Sequence, residues 1–386
     1  MIRNATFLVF LTLSVGCGGN TQGPIGNARN VTNTGTPAPT SQIRPTSKAS
    51  FFQFRDLETG STWNFKGEAI QGQFAGEKLD SVVGYNAFWF AWASFWPTTA
   101  VWGEFPVSEG LLPSSAFQDI PESEIKSNLS IDSVVPLDNP PDRFGSASFV
   151  GPTAATDLAP EELVLGVVLN GDARAYPVKI LNWHEIVNHA VGGRQISLTY
   201  SPLTASAINF DTPDLAFGNS GALYNNNLVM YDRETGSFWS QMRMNSIFGT
   251  RRGQPLEVLP VVQCTWAAWR TLYPFTSVLS PNTGVRAIGD YMNDLYIEGG
   301  YNASSNLYIN QTPAIDPRYH PKTRVYGLVG NTHAKAYPLS SLGEKTAIND
   351  SFEGQPILLL YEQSAQMAVV YSRYLGGNTL TFERIE

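Results

Sequence analysis

An internal repeat is the feature that most constrains the fold of this chain. Asp56-Leu-Glu-Thr-Gly-Ser-Thr-Trp63 recurs as Asp232-Arg-Glu-Thr-Gly-Ser-Phe-Trp239, and the match continues beyond both tryptophans. Later positions of this segment, module B, align as well: Gly72 with Gly249, Gly76 with Gly253, Leu79 with Leu256, Trp89 with Trp266, Trp92 with Trp269 and Pro97 with Pro274. The repeat predicts a fold of two related halves.

A second segment, module A, is also repeated. Ala173-Arg-Ala-Tyr-Pro177 recurs as Ala334-Lys-Ala-Tyr-Pro338. Around it align Gly166 with Gly327, Asn188 with Asn349, Gly193 with Gly354 and Tyr200 with Tyr361. The modules follow in the order B-A-B-A, so we expect two lobes related by approximate two-fold symmetry. The pairs expected in equivalent buried places are Trp63 and Trp239, Trp89 and Trp266, and Tyr176 and Tyr337. The order leaves open which lobe each A module joins, because strands can be exchanged between the halves.

The N-terminus resembles a bacterial lipoprotein signal. Arg3 precedes an apolar stretch at 5–15, and small residues lead to Cys17. The stretch is shorter than the roughly 20 residues that a membrane-spanning helix needs. We therefore expect signal cleavage and lipid attachment at Cys17. Ser14 departs from the Leu or Val that such signals usually carry three residues before the cysteine, and an ordinary cleaved secretory signal is the alternative.

A polar linker is predicted to follow the signal. Residues 18–50 are rich in Gly, Asn, Thr, Pro and Ser and carry few large apolar side chains. Such a segment cannot bury enough apolar surface to fold, so we expect it to be disordered. It would act as a flexible tether between the membrane and the folded body. The predicted location is the bacterial cell envelope, with the membrane as a partner through the lipid anchor at Cys17.

Charge and cysteine content limit the possible functions. The net charge of −8 argues against a nucleic-acid partner, whose phosphates must be neutralised by Lys and Arg. Of two cysteines, only Cys264 remains after lipidation of Cys17, so an intrachain disulfide is not available. Stability must come from the core, to which the aromatic share of 12% contributes large buried side chains.

Strand and turn signals predict a β-rich α+β fold. Asn170-Gly171 follows an apolar, β-branched run and is a strong hairpin signal. Residues 180–187 and 265–272 have the apolar spacing of short helices. Many short strands with a few short helices favour this fold class. The predicted segments are a signal peptide at 1–17, a linker at 18–50, the first B module and its connection at 51–150, the first A module at 151–215, the second B module and its connection at 216–320, and the second A module at 321–386.

Several motifs together resemble one family. They are Ala173-Arg-Ala-Tyr-Pro-Val178, Asn182-Trp-His-Glu-Ile-Val-Asn188, Thr199-Tyr-Ser-Pro-Leu203, Phe217-Gly-Asn-Ser-Gly-Ala-Leu223 and Met230-Tyr-Asp-Arg-Glu-Thr-Gly-Ser-Phe-Trp-Ser-Gln241. Between about residues 135 and 342 the chain is similar to the domain-of-unknown-function family numbered 3179, which occurs in secreted bacterial and archaeal proteins. The resemblance implies no activity and no cofactor. The family usually has Cys at the position of Ser201 and Asp at that of His189, so thiol chemistry and soft-metal binding are not implied for this chain.

Polar residues found in only one copy of module A are the candidate catalytic residues. His184, Glu185 and Ser201 align with Lys345, Thr346 and Glu362 of the second copy. A duplicated scaffold keeps its core twice but needs an imidazole and a hydroxyl only where polar chemistry occurs. One hypothesis makes Ser201 a nucleophile and His184 its base, with Glu185 or Asp232 as the orienting group. Divergence without function is the alternative.

A metal site is a weaker hypothesis. His184 and His189 are five positions apart, which on a helix turns their side chains about 140° from each other. They would not bind one metal ion together. His184 with Glu185, Met230 or Asp232 stays open, but the histidines and the single remaining cysteine are too few for a predicted structural zinc site.

Aromatic and amide residues of the second half predict a ligand-binding cleft. Flat rings provide contact area and amides provide orientation, which suits small molecules, glycans or peptides. The candidate binding residues are Asn225, Asp232, Trp239, Gln241 and Arg286. Lys322 and Arg324, near the end of the chain, are interpreted as a solvated strand edge.

The sequence therefore predicts a lipid-anchored, extracytoplasmic protein that binds a small-molecule, glycan or peptide ligand. One alternative is an enzyme, hydrolase-like or metal-dependent, that uses His184 with Ser201 or Glu185. A second alternative is a structural protein of the cell envelope. No cofactor follows from the sequence.

Overall fold

The protein is built mainly from short β-strands. A computed structural model describes residues 51–104, 110–112, 120–127, 129–139, 147–292, 296, 300–307 and 315–385. Its three short α-helices are α1 (Trp89–Phe95), α2 (Val178–His184) and α3 (Trp266–Leu272). This β-rich content with short helices is what the sequence predicted. In these ranges, no helix is long and apolar enough to cross a membrane.

The strands are numbered in chain order. The first nine are β1 (Gln53–Asp56), β2 (Thr62–Trp63), β3 (Ala69–Gln71), β4 (Ser81–Val82), β5 (Tyr85–Phe88), β6 (Ala100–Val101), β7 (Lys126–Ser127), β8 (Leu137–Asp138) and β9 (Phe149–Val150). The middle of the chain forms β10 (Leu163–Leu169), β11 (Asp172–Pro177), β12 (Ile186–Val191), β13 (Arg194–Ser201), β14 (Ser206–Asp211), β15 (Phe217–Tyr224), β16 (Asn227–Asp232), β17 (Phe238–Ser240), β18 (Asn245–Phe248), β19 (Val258–Leu259), β20 (Val262–Thr265) and β21 (Ser277–Leu279). The last part forms β22 (Arg324–Val329), β23 (Ala334–Pro338), β24 (Lys345–Phe352), β25 (Gln355–Glu362), β26 (Met367–Ser372), β27 (Tyr374–Leu375), β28 (Asn378–Thr379) and β29 (Phe382–Ile385).

The strands form two groups of three sheets. The central sheets use only strands β7 to β21, in the orders β18-β17-β16-β15-β7, β20-β10-β11-β21-β9 and β19-β14-β13-β12-β8. The terminal sheets combine the first strands with the last ones, in the orders β29-β1-β2-β3, β5-β22-β23-β6 and β24-β25-β26-β4. Strands β27 and β28 form a separate pair. Most neighbours are antiparallel, while β11 with β21, β12 with β8 and β23 with β6 are parallel.

The two ends of the described chain lie in the same sheets. Strand β1 runs antiparallel to β29, with Gln53 opposite Ile385. Strand β5 pairs with β22, and β4 pairs with β26. In the middle of the chain, β10 pairs with β20 and β14 pairs with β19. The first B module therefore shares its sheets with the second A module, a point that the repeat order had left open.

Local sequence determines where the strands turn and where α2 ends. Asn170 and Gly171 join β10 to β11 with φ angles of 48° and 82°, as a two-residue hairpin turn of type I′ requires. The apolar spacing predicted a helix over 180–187, but α2 is shorter. It stops because Glu185 adopts a φ of 57°, after which the chain enters β12.

Two buried tryptophans fix the hairpins of module B. Trp63 and Trp239 are both almost fully buried. The indole Nε1 of Trp63 donates to Asp56 Oδ2 at 3.1 Å, and that of Trp239 donates to Asp232 Oδ2 at 2.8 Å. Each aspartate ends the strand that precedes its turn, so each bond ties the two arms of a hairpin together.

Helices α1 and α3 pack on glycines in neighbouring strands. The indole Nε1 of Trp92 donates to a threonine hydroxyl at 3.0 Å, and that of Trp269 does so at 2.9 Å. A Cβ atom on Gly327 would lie 2.0 Å from the Trp92 ring, and one on Gly166 would lie 2.0 Å from the Trp269 ring. The absent side chain therefore lets each helix approach its strand.

Candidate functional site

The three candidate catalytic residues lie at one end of the sheet formed by β12, β13 and β14. His184 is the last residue of α2, Glu185 follows it, and Ser201 ends β13. The backbone N–H of Tyr200 donates to the carbonyl oxygen of Glu185 at 2.7 Å. This bond holds the positions of Glu185 and Ser201 beside each other at the sheet end.

His184 is buried, and both of its ring nitrogens have partners. Nδ1 lies 2.6 Å from the carbonyl oxygen of Val135, and Nε2 lies 2.7 Å from the hydroxyl of Tyr291. Burial lowers the pKa of His184 to about 4, so the ring is neutral at pH 7. Because a carbonyl only accepts, Nδ1 donates to Val135 and Nε2 accepts from Tyr291. These contacts favour a positioning role for the ring.

Glu185 has a strained backbone and a perturbed carboxyl group. Its φ of 57° lies in the left-handed region, which costs a residue with a side chain about 1–3 kcal/mol. The half-buried carboxylate accepts a hydrogen bond from Asn219 Nδ2 at 2.7 Å, and burial raises its pKa to about 7. A carboxyl group that titrates near neutral pH can both accept and donate a proton. Of the three candidates, Glu185 is therefore the best suited to acid–base chemistry.

Ser201 lies next to Glu185, but it does not belong to a hydrogen-bonded relay. Its side chain is buried, and its backbone lies opposite Ser206 across the β13–β14 ladder. In the described part of the chain, no hydrogen bond joins Ser201 to His184, and none joins His184 to Glu185 or Asp232. The serine-nucleophile hypothesis stays a prediction. For His184 to act as the base, its side chain would have to adopt a different rotamer.

Gln241 lies at the centre of a buried polar network. Its Oε1 accepts from Ser206 Oγ and from Asn227 Nδ2, both at 2.7 Å. Its Nε2 donates to Thr199 Oγ1 at 2.9 Å and to the backbone carbonyl of Ser206 at 3.2 Å. Asn227 also donates to Thr204 Oγ1 at 3.0 Å. A ligand that used this amide would have to replace one of these partners.

Asp232 and Trp239 bind each other within their hairpin. Besides the indole, Asp232 accepts from the backbone N–H of Thr235 at 2.6 Å. Burial alone would raise the pKa of Asp232, but the hydrogen bonds from Trp239 and Thr235 hold it below the usual value. Asp56 makes the same kind of bonds within its own hairpin. The side chains of Asp232 and Trp239, both predicted to bind a ligand, thus form hydrogen bonds that stabilise their own hairpin.

Asn225 and Arg286 are the other two candidate binding residues, and Asn225 lies two residues before Asn227, which donates to Gln241. Asn225 is in the turn between β15 and β16, with a φ of 48°. Arg286 is exposed, and its guanidinium carbon lies 3.9 Å from the ring centroid of Trp183, the residue before His184. The cleft formed by the five candidates stays a prediction.

The described residues hold no obvious metal site. Nowhere in these ranges do three His, Cys, Asp or Glu side chains come close enough to bind one metal ion. His189, the second histidine of the metal hypothesis, lies 2.6 Å from the hydroxyl of Tyr176 and stacks on Phe149 at a centroid distance of 5.0 Å. Burial lowers its pKa to about 4.

A cavity that the sequence analysis missed lies between the central and the terminal sheets. Its volume is about 390 Å³, within the usual range for small-molecule sites of about 300–1,000 Å³. One wall comes from β10, α3 and the start of β20, and the other comes from β4, β22 and β26. The aliphatic wall residues include Val82, Val83, Val168, Val262, Met367 and Val369. These residues come from four distant parts of the sequence, so no local pattern marks the cavity.

Three charged side chains line the cavity and reach solvent. Lys66 Nζ lies 2.9 Å from Glu68 Oε2, and Lys78 Nζ lies 3.9 Å from Glu68 Oε1. Burial alone would raise the pKa of Glu68, but hydrogen bonds from Asn64 and Lys66 hold it below the usual value. We call Lys66, Glu68 and Lys78 the charged rim.

Aromatic rings lie beside the charged rim. The ammonium of Lys66 is 5.7 Å from the ring centroid of Tyr273, which in turn is 4.4 Å from that of Trp269. Burial raises the pKa of Tyr273 to about 12. The hydroxyl of Tyr371 donates to the carbonyl oxygen of Phe65 at 3.1 Å. The cavity thus places aromatic faces next to a cation.

Lys322 is buried, so its interpretation as part of a solvated strand edge is wrong. Only 4% of the residue is exposed. Its Nζ donates to the carbonyl oxygen of Tyr301 at 3.0 Å and lies 2.9 Å from the ring centroid of the same residue. Burial lowers its pKa to about 7. The sequence could not show this, because Tyr301 belongs to a separate segment that contacts the lysine only in the folded chain.

Comparison with known proteins identifies a family without a described activity. The sequence profile described as Protein of unknown function (DUF3179) matches residues 21–99 and 142–385. This match also covers most of the first B module, which lay outside the resemblance seen in the motifs. No curated protein and no solved structure matches the chain.

Proposed function

We propose that this chain binds a small molecule in the cavity between the central and the terminal sheets. The chain belongs to the family of proteins of unknown function DUF3179. The cavity is the observation that carries the proposal. It has the volume of a ligand site, mostly apolar walls and a few charged groups at its rim. Small-molecule sites usually combine these three properties.

The sequence repeat supports a function for this cavity. Tyr273 of the cavity aligns with Trp96 of the first B module. Trp96 is 1% exposed and donates from Nε1 to the hydroxyl of Tyr85 at 2.9 Å, so its ring is part of the core. Tyr273 is only half-buried and lines the cavity. A packed position in one copy thus corresponds to an open one in the other.

A cavity-filling substitution tests the binding proposal. Val168→Trp would place an indole in the cavity from β10, and we expect it to abolish the fluorescence increase of anilinonaphthalene sulfonate and to remove small molecules that co-purify with the wild type. Native mass spectrometry detects the latter. Leu57→Trp is the matched control, because Leu57 is 55% exposed in a hairpin turn. Equal binding by the wild type and both variants would refute the proposal, and so would absence of binding in all three.

An acid–base enzyme that uses Glu185 is a second candidate function. The observation that favours it is the strained Glu185, whose carboxyl group titrates at about pH 7. Ser201 lies beside Glu185. His184, the residue before Glu185, would help to hold Glu185 in place through its own hydrogen bond with Tyr291. Perturbed pKa values and backbone strain are frequent at catalytic sites. Hydrolysis of a panel of esters and amides by the wild type, but not by Glu185→Gln, would support this function, and a panel without any turnover would count against it.

We also propose that the chain arose by duplication. The support is the set of matching contacts: the Asp–Trp bond in both hairpins and the tryptophan packed on a glycine in both helix–strand pairs. An experimental structure tests this directly. Residues 56–102 and 232–279 should superpose strand for strand, and different folds in these two ranges would contradict the proposal.

The proposed location is the cell envelope, with the membrane as partner through a lipid anchor at Cys17. The support is the sequence of the signal alone, because Cys17 and the linker at 18–50 lie outside the described residues. Metabolic labelling with palmitate should mark the wild type and not Cys17→Ser. A protein that stays unlabelled but is released in soluble form would show an ordinary secretory signal instead.

A further inference from the structure

The charged rim carries an excess of positive charge. Lys66 and Lys78 share the single carboxylate of Glu68. The 3.9 Å separation between Lys78 and Glu68 is long for a hydrogen bond, and the Lys78 side chain is 59% exposed. An anionic group at this position would meet two ammonium groups and one carboxylate. Charge-assisted hydrogen bonds of this kind are roughly twice as strong as neutral ones.

The cavity walls suit an apolar ligand body. Seven valines and Met367 line them, and the hydroxyl of Tyr371 is already bonded to the carbonyl oxygen of Phe65. A sugar or a peptide backbone buried here would need partners for many polar groups, and each unmatched group would weaken binding. A hydrocarbon or aromatic body gains free energy from the same burial.

The position of Tyr273 links the two parts of the cavity. Its ring packs on Trp269, at a centroid distance of 4.4 Å, and its centroid lies 5.7 Å from the ammonium of Lys66. A flat ring that stacks on Tyr273 in offset geometry would therefore hold a substituent close to Lys66. The substituent that this geometry favours is an anion.

We propose that the cavity binds an amphipathic organic acid, with an apolar or aromatic body of one or two rings between the valine walls and a single carboxylate at the charged rim. The carboxylate binds Lys66 and Lys78 in competition with Glu68. This inference rests on the proposed small-molecule function and names its ligand class.

Three probes of equal shape separate the charge requirement from simple burial. Isothermal titration calorimetry on the full chain would use naphthoate, naphthamide and naphthylmethylammonium. We expect naphthoate to bind about tenfold more tightly than the amide, and the ammonium compound to bind most weakly. A tenfold difference corresponds to about 1.4 kcal/mol. Raising the salt concentration about tenfold should reduce the preference, because the charged rim is partly exposed.

Substitutions in the rim should change the preference in opposite directions. Lys66→Met with Lys78→Met keeps the aliphatic stems, so we expect amide binding to persist while the advantage of naphthoate falls to about twofold or less. Glu68→Gln removes the competing carboxylate and retains an acceptor for Asn64, which donates to Glu68 at 2.9 Å. It should increase naphthoate affinity several-fold. Lys126→Met, at a lysine outside the cavity lining, is the matched control and should leave all three affinities unchanged.

The outcomes distinguish the ligand class from the function. If naphthoate and naphthamide bind equally to the wild type, and Val168→Trp still abolishes both, the organic-acid inference is wrong while small-molecule binding stands. If Glu68→Gln weakens naphthoate, the rim does not act as an anion site. If none of the three probes binds and Val168→Trp has no effect on co-purified molecules, the proposed function itself fails.

Discussion

At the scale of single residues, Glu185 links stability to pH. Its pKa rises from 4.5 to about 7 in the folded protein because burial disfavours the charged carboxylate. The folded state therefore holds this proton more tightly than the unfolded state. The associated stability is fully present below about pH 4.5, and it is lost as the pH rises through 7.

Replacing Glu185 by Gln should therefore stabilise the protein only at higher pH. At pH 8 we expect Glu185→Gln to be more stable by about 1–3 kcal/mol, because the neutral amide carries no desolvation penalty and still accepts from Asn219. At pH 4.5 the wild type and Glu185→Gln should have the same melting temperature. Thermal denaturation across this range measures the effect, with Glu161→Gln at an exposed position as control. A difference that does not change with pH would contradict the role given to burial.

Sequence comparison between the repeats selected Glu185 as a position to examine, but it could not reveal how His184 is held. The contacts of His184 come from Val135, 49 positions away, and from Tyr291, 107 positions away. Neither residue is marked by a motif. The hydrogen bond between Asp232 and Trp239 was likewise not predicted from the sequence. It became evident only from the structure, where both hairpins contain it.

At the scale of secondary-structure elements, local sequence signals predicted turns and helices well, but they did not predict which distant strands pair. The Asn170-Gly171 turn and helix α3 follow from neighbours a few positions apart, and both lie where the sequence placed them. The pairing of β5 with β22 depends on residues at opposite ends of the chain. The cavity is lined by several such long-range neighbours, which is why it had no signature in the sequence.

Each helix–strand contact should be very sensitive to a single methyl group. Gly166→Ala and Gly327→Ala would place Cβ 2.0 Å from the Trp269 and Trp92 rings, so the helix must move. We expect each substitution to destabilise the protein by about 1–3 kcal/mol or more. Urea denaturation measures this loss. Gly151→Ala, where no atom lies within 4 Å of the added Cβ, should cause no such loss, and a similar loss in the control would contradict the steric explanation.

At the scale of the whole molecule, the first and last strands hold each other in place. Strand β1 is flanked by β2 on one side and by β29 on the other. The Cα atoms of an antiparallel pair such as Gln53 and Ile385 are about 5 Å apart. The ends of the folded body are thus close enough to be joined by a few residues.

A circular permutant should therefore fold. We expect a chain in which residue 385 is connected to residue 51 by a short Gly-Ser linker, and which opens in the exposed turn after Gly193, to melt within about 5 °C of the wild type. Circular dichroism with heating measures this. A permutant opened inside β25, between Leu359 and Leu360, should not fold, because both residues are fully buried. Failure of the first permutant would contradict the pairing of the chain ends, and success of the second would contradict the need for an intact β25 in the core.

The shared terminal sheets also set an order of events during synthesis. Residues 53–101 leave the ribosome early, yet their strand partners at 324–385 follow roughly 220 residues later. At about 5–20 residues per second, the early strands wait about 10–45 seconds with their edges unpaired. The central sheets can form during this interval, since all of their strands precede residue 280. A nascent chain of this kind exposes the unpaired edges of its first strands until the last strands have emerged.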